Sequence, residues 1–122
     1  MSSGKLAYVT GGMGGIGTSI CRKLSEDGHK VIAGCGPNRD YDKWLSEQKK
    51  AGYIFIESVG NVSDWNSTQT ALKKIINSHG HPTILVNNAG ITQDAVFKRM
   101  TLEQWNSVIN TNLNSLFNVT KQ

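Results

Sequence analysis

Seventeen residues from the start, the chain has passed through a run that can bind phosphate. The apolar segment Leu6-Ala7-Tyr8-Val9 leads into Thr10-Gly11-Gly12-Met13-Gly14-Gly15-Ile16-Gly17, and a helical pattern follows. A glycine-rich turn between a strand and a helix lets backbone N–H groups approach a pyrophosphate, with the positive end of the helix facing the charge. Two registers fit. Gly12, Gly14 and Gly17 satisfy G-x-G-x-x-G, and Gly11, Gly15 and Gly17 satisfy T-G-x-x-x-G-x-G. The chain has no G-x-x-x-x-G-K-[ST], so a nucleoside-triphosphate loop is disfavoured. A tight strand–helix turn with no ligand is the alternative.

The elements that must carry this turn are legible as periodicity. Leu6–Val9, Val31-Ile32-Ala33, Tyr53-Ile54-Phe55-Ile56 and Ile84-Leu85-Val86 read as four strands covered on both faces. Between them run helical stripes: Ile16, Ile20 and Leu24, then Trp65, Thr68, Leu72, Ile75 and Ile76, then Leu102, Trp105, Ile109, Leu113, Leu116 and Phe117. Residues 39–51 form a less clearly patterned helix. Gly28, Gly52 and Gly80 stand where left-handed helix caps are expected, and Thr101-Leu102-Glu103-Gln104 is a capping-box pattern. The order βαβαβαβα implies right-handed crossovers and a parallel sheet. The expected fold is α/β, a Rossmann-type doubly wound parallel sheet of which residues 1–122 supply four βα units as one dinucleotide-binding domain. With no strand after its last helix, the chain is expected to be truncated before the rest of the fold.

Composition narrows the function. The 122 residues include 13 glycines and two cysteines, too few cysteines for a disulfide scaffold. No apolar run approaches the length of a membrane span. Met1-Ser2-Ser3-Gly4-Lys5 leads into a strand and not into a signal-peptide core, so a cytoplasmic protein without a membrane partner is expected. The net charge of +4 and pI of about 9.2 raise the question of a polyanion. The basic residues are scattered in short pairs, however, and no nucleic-acid partner is expected. His29, His79 and His81 lack metal-ligand spacing, so no metal is expected. Cys21 and Cys35 read as small buried groups, and Trp44, Trp65 and Trp105 as core.

Three features taken together, Thr10-Gly11-x-x-x-Gly15-Ile16-Gly17, Asn87-Asn88-Ala89-Gly90 after the fourth strand and Asn112-Leu113 in the last helix, resemble the short-chain dehydrogenase/reductase family over essentially the whole chain. The resemblance implies a nicotinamide cofactor bordered by Gly11, Met13, Gly14, Gly15, Ile16 and Gly17 and, across the sheet, by Asn88, Ala89, Gly90, Ile91 and Thr92. Asn61 and Val62 would meet the adenine, Asn61 through its carbonyl and Val62 through its backbone N–H; Asn61 as a plain turn residue is the alternative. Asn87 is expected to tie neighbouring strands. No acid follows the second strand at Gly34-Cys35-Gly36-Pro37-Asn38, and Arg39 comes next. An arginine there favours NADPH/NADP over NAD, because guanidinium meets a phosphate with two parallel hydrogen bonds. Gly14, where many NADP-dependent members carry a base, weighs the other way, and Asp40 and Asp42 complicate the local field.

The family's catalytic unit is a Tyr-x-x-x-Lys pair, a serine and an asparagine; Asn112 matches the asparagine, which holds a water in the proton path. Four residues after Tyr8, Tyr41 and Tyr53 stand Gly12, Leu45 and Glu57, so the Tyr-x-x-x-Lys pair is not in this chain, and no serine matches the family's. These 122 residues alone are expected to be inactive. Within the family the motifs, with Gly34-Cys35-Gly36-Pro37-Asn38 and Asn61-Val62 followed by Asp64-Trp65, look most like the branch that reduces acetoacetyl-CoA in polyhydroxybutyrate synthesis. The runner-up is reduction of 3-oxoacyl groups on an acyl carrier protein, and a non-catalytic dinucleotide-binding module is a third reading. Asp94 would lie near the substrate mouth. Lys98 and Arg99 would meet coenzyme A phosphates or an acidic carrier, unless they are only solvated. A homo-oligomer is implied for the complete enzyme.

Overall fold

The computed structural model describes residues 4–122; Met1, Ser2 and Ser3, on which part of the N-terminal reading falls, lie outside the described residues. Four strands, β1 (Leu6–Val9), β2 (Lys30–Cys35), β3 (Ile56–Val59) and β4 (Ile84–Val86), pair in parallel in the order β3-β2-β1-β4. The helices are α1 (Gly15–Glu26), α2 (Tyr41–Lys50), α3 (Trp65–His79), α4 (Leu102–Ile109) and α5 (Ser115–Lys121). A 3-10 turn, Phe97–Arg99, precedes α4. The chain crosses from one side of β1 to the other between β3 and β4, which makes the carboxyl ends of β1 and β4 the switch point of the sheet.

Alternation along β1 and β2 divides the core into two layers. Val9, Val31 and Ala33 pack with Met13, Cys21, Trp44 and Phe55, under α1 and α2. Tyr8 and Ile32 turn to the opposite face and pack with Leu72, Ile75 and Val119, under α3 and α5. Burial pushes the Cys21 thiol up to about 12. α2, α3 and α4 start with side-chain caps from Asp40, Asp64 and Thr101, and the capping box of Thr101 and Gln104 is formed from both sides. Gly28, Gly52 and Gly80 do take positive φ after the first three helices. At Gly80, however, ψ is −175°, so the chain leaves in the mirror-image extended conformation and not in a left-handed helical turn.

Four expectations are corrected. The third strand is Ile56–Val59 and not Tyr53–Ile56: Tyr53 and Phe55 stack in series with Trp44 beside α2, with ring centroids 5.9 and 5.3 Å apart, and Ile54 faces solvent. Aromatic packing, not ladder pairing, explains that apolar run. Ile16 is no core residue, being 73% exposed at the mouth of the first turn. Trp65 and Trp105 are exposed as well, Trp65 stacking on Phe117. Finally, the last helix is not regular throughout. Asn110–Asn114 form a π turn between α4 and α5, and the stripe from Leu102 to Phe117 is not a buried face, since Leu102 and Trp105 before the turn and Leu113, Leu116 and Phe117 within and after it are all exposed.

Candidate functional site: a groove across the switch point

The glycines of the first turn divide by what surrounds them. Gly11 has φ 61°, and a Cβ there would stand 2.9 Å from the Cα of Ala89. A Cβ on Gly17 would stand 2.1 Å from the carbonyl oxygen of Gly11. Both are required by the chain's own backbone. Gly15 has no such constraint: a Cβ there meets nothing within 4 Å, and it borders an open cleft of about 620 Å³. Space at this point is left for something outside the chain. The T-G-x-x-x-G-x-G register therefore describes the turn, with Gly11 and Gly17 shaping it and Gly15 keeping it open.

Unlike α2, α3 and α4, α1 starts without a side-chain cap; Gly14 stands at its N-cap. The first helical bond is donated by Thr18 N to Gly14 O at 2.8 Å, leaving the N–H groups of Gly15, Ile16 and Gly17 without partners among the described residues. Met13, Gly14, Gly15, Ile16 and Gly17 line the cleft into which this helix end opens. Unpartnered amides, a helix dipole and cleared space suit a phosphate or pyrophosphate.

The turn is stitched to the loop after β4. The buried Thr10 hydroxyl accepts from Asn88 N and Ala89 N, each at 3.0 Å, and Asn88 Nδ2 donates to Gly11 O at 3.1 Å. Thr10 is a positioning residue that sequence reasoning missed; its place as the motif threonine was the available signal. A second cleft, of about 270 Å³, shares Gly34, Gly36 and Ile91 with the first and continues to Asn61, Val62, Ala89 and Thr111. The two make one groove over the carboxyl ends of the strands. Gly36 repeats the Gly15 pattern, with open space where its Cβ would be.

Arg39 lies beside this groove. Its guanidinium donates to the Met13 carbonyl, which sets a fixed positive charge against the glycine turn. Cys35 lines both clefts; burial raises its pKa, while the nearby Arg39 charge lowers it and Glu57 raises it.

Asn112 occupies the middle of the π turn. Its Oδ1 accepts from Ile91 N at 2.8 Å and its Nδ2 donates to Ile91 O at 2.9 Å, so one side chain pins one residue of the β4 loop at both backbone groups. Gly90 lies close under this pair, with 3.3 Å between its Cβ position and Asn112 Oδ1. A π turn places an extra residue in the helix and is a common device at functional sites.

Other expectations fare differently. The carbonyl of Asn61 is not free to meet an exocyclic amine: it accepts from Ser63 N at 3.0 Å and Ser63 Oγ at 2.6 Å, closing a local turn. Asn87 does not tie strands together but donates to Thr120 Oγ1 on α5 at 3.2 Å. Thr92, Asp94 and Arg99 are exposed and line neither cleft. Among the described residues no group of three or more His, Cys, Asp or Glu is placed to hold a metal, and no helix is long and apolar enough to cross a membrane.

A family profile described as short chain dehydrogenase matches residues 5–122. The chain belongs to the short-chain dehydrogenase family. It is similar to the acetoacetyl-CoA reductase of Cupriavidus necator, 59% identical over 119 residues, 97% of this chain and 48% of that protein. It is also similar to nodulation protein G of Azospirillum brasilense, 50% identical over 98% of this chain and 49% of that one. The 3-oxoacyl-[acyl-carrier-protein] reductase of Thermotoga maritima is 36% identical over 97% of this chain and 48% of its own length. Among solved structures, a doubly substituted mutant of a Serratia marcescens short-chain dehydrogenase/reductase superposes with a TM-score of 0.83 at 27% identity, covering 97% of this chain and 49% of that one. The chain spans about half the length of the curated relatives it matches.

Proposed function

We propose that this chain is the cofactor-binding portion of an NADPH-dependent reductase that converts a 3-oxoacyl thioester, acetoacetyl-CoA first, to the 3-hydroxyacyl thioester. The observation that carries the reading is the uncapped start of α1, where three unpartnered amides face space kept clear by Gly15. The donor set suits a dinucleotide: amides of Gly15, Ile16 and Gly17 for the pyrophosphate, Gly36 for close approach of a ribose, and Ile91 with Ala89 and Gly90 beside the nicotinamide end. When bound, the dinucleotide supplies a hydride to the substrate carbonyl.

Arg39 supports NADPH over NADH. Its guanidinium, already over the glycine turn, has donors left for a ribose 2′-phosphate, and no acid stands at Gly36-Pro37-Asn38, directly after β2, to compete for the ribose hydroxyls. Asn112 holds Ile91, and so the floor of the nicotinamide end, in place; within the family pattern it also holds a water in the proton path. Asp94 and Arg99 would border the substrate entrance, with Arg99 and Lys98 meeting the phosphates of coenzyme A. The exposed apolar residues of α4 and α5 suit a homo-oligomer of the complete enzyme, and the soluble thioester substrate suits the cytoplasm.

Two observations favour acetoacetyl-CoA as substrate: the 59% identity to the Cupriavidus necator protein, and several further relatives of that name at 40–43%. Reduction on an acyl carrier protein is the second reading, supported by relatives at 36%. Because the chain carries no Tyr-x-x-x-Lys, the 122 residues should bind the dinucleotide without reducing anything. Calorimetry with NADPH and NADH tests the binding, and an absorbance assay with acetoacetyl-CoA tests the turnover. Tighter binding of NADH overturns the cofactor assignment, and no binding of either overturns the reading.

A further inference from the structure

We propose that Trp44, buried on α2 outside the groove, is a positioning residue for the phosphate cradle and acts on it through Thr18. The inference rests on the dinucleotide reading above and adds to it two residues that line neither cleft.

The peptide between Gly14 and Gly15 decides where the first amide of the cradle points. A trans peptide is planar, with its C=O and N–H facing opposite ways, so fixing the Gly14 oxygen aims the Gly15 N–H. Glycine stands on both sides of this peptide, and side-chain sterics do little to hold it. One residue holds it twice: Gly14 O accepts from Thr18 N at 2.8 Å and from Thr18 Oγ1 at 2.6 Å. A threonine in a helix divides between two χ1 rotamers. Here a second bond at the hydroxyl selects one of them, because Trp44 Nε1 donates to Thr18 Oγ1 at 3.0 Å. An indole N–H only donates, so the hydroxyl accepts from it and its single proton is left for Gly14 O. The relay therefore has one direction, from Trp44 to Thr18 to Gly14. The neighbouring Ser19 shows the contrast: its exposed Oγ stands 3.5 Å from Gly15 O, with no second partner among the described residues.

The indole is itself held. Trp44 stacks on Phe55, and Phe55 on Tyr53. Tyr53 OH donates to Glu26 at 2.6 Å, and the Arg22 guanidinium lies 4.8 Å from the Tyr53 ring centroid, so the stack is tied back to α1. The preceding peptide of the turn is pinned as well. Arg39 donates to Met13 O, and on the opposite side Gly14 N donates to Gly11 O at 3.3 Å. Two successive peptides are thus set before a phosphate arrives, which spares the ligand the cost of ordering them.

Calorimetry on the 122-residue chain with NADPH and NADH tests the relay, with urea unfolding alongside. Thr18→Val removes the hydroxyl at nearly constant shape and is expected to weaken both dinucleotides about tenfold. Thr18→Ser keeps the hydroxyl and is expected to bind both within about twofold of the wild type. Trp44→Phe keeps a ring on Phe55 but loses the donor, and is expected to weaken both about threefold. Beside Thr18→Val it should add nothing, because its effect passes through the hydroxyl. The inference is overturned, and the dinucleotide reading left standing, by any of four results. These are Thr18→Val binding within about twofold of the wild type, Thr18→Ser losing as much as Thr18→Val, Trp44→Phe keeping its full effect beside Thr18→Val, and a loss confined to NADPH. The last would mean that α2 had moved as a body and taken Arg39 with it. Should Thr18→Val not fold, Trp44→Phe alone decides, and unchanged affinity for both dinucleotides overturns the inference. Failure of the wild type to bind either overturns the dinucleotide reading and this inference with it.

Discussion

Replacing Gly15 by alanine separates the needs of the chain from those of its ligand. A Cβ at this position meets nothing within 4 Å, and the residue opens α1 with ordinary φ, so the folded chain accepts the methyl group without movement. Alanine in a helix exceeds glycine by up to ~1 kcal/mol, so stability should be unchanged or slightly raised. The ligand fares otherwise. The methyl stands in the cleft beside the unpartnered amides, and a phosphate held off by it loses at least one charge-assisted hydrogen bond of about 1.5–3 kcal/mol, a ~10- to 150-fold weaker Kd. The control is Gly17→Ala, whose Cβ would fall 2.1 Å from Gly11 O and 2.7 Å from Gly12 Cα, both backbone atoms unable to yield cheaply. That change should destabilise the chain by at least ~1–3 kcal/mol. Urea unfolding gives the stabilities and calorimetry with NADPH the affinities. If Gly15→Ala binds NADPH within twofold of the wild type while remaining folded, the amide cradle is refuted.

Other outcomes follow from the same geometry. Arg39→Ala should weaken NADPH by about tenfold or more and leave NADH nearly unchanged, read by the same titrations. Thr10→Val removes the acceptor shared by Asn88 N and Ala89 N and should cost about 2–4 kcal/mol in urea unfolding, with faster amide exchange at both residues. Asn112→Ala should speed exchange at Ile91 N, with a stability loss of about 1 kcal/mol, because both of its bonds to that residue are solvent-exposed. Cys21 has a folded pKa of about 12 against an ordinary 9.0, so the unfolded chain gives up its proton first. Stability should therefore fall as pH rises from 9 towards 12, and Cys21→Ala should flatten that part of the profile relative to the wild type.

Much of the architecture was legible because local and global preferences agree. Strands β1, β2 and β4, the helix ends and the capping box are written in short-range patterns, and they stand where the patterns put them. The failures have identifiable causes. Tyr53, Ile54 and Phe55 have strand-forming types, yet Phe55 stacks on Trp44 and Tyr53 on Phe55, and the actual edge strand, Ile56–Val59, carries Glu57 and Ser58 at its centre. Trp65 and Trp105 follow a helical stripe, but periodicity does not reveal whether anything covers it. The glycine turn identified the groove, whereas only the hydrogen bonds of Asn61 reveal that its carbonyl is spent locally. Thr10 was overlooked because its role is an acceptor shared across 78 and 79 residues of sequence, a relation no local window contains.

The wide turn at Asn110–Asn114 amounts to a one-residue insertion in an otherwise ordinary coil of chain. Everything after it is rotated in phase by about 100° relative to an uninterrupted helix. Asn118, which reaches Val62, and Val119, which fills the layer beneath Tyr8 and Ile32, owe their direction to that offset. Deleting one residue within the turn would restore regular winding with both still facing as they do, so what the extra residue adds is the turn itself, where Asn112 meets Ile91.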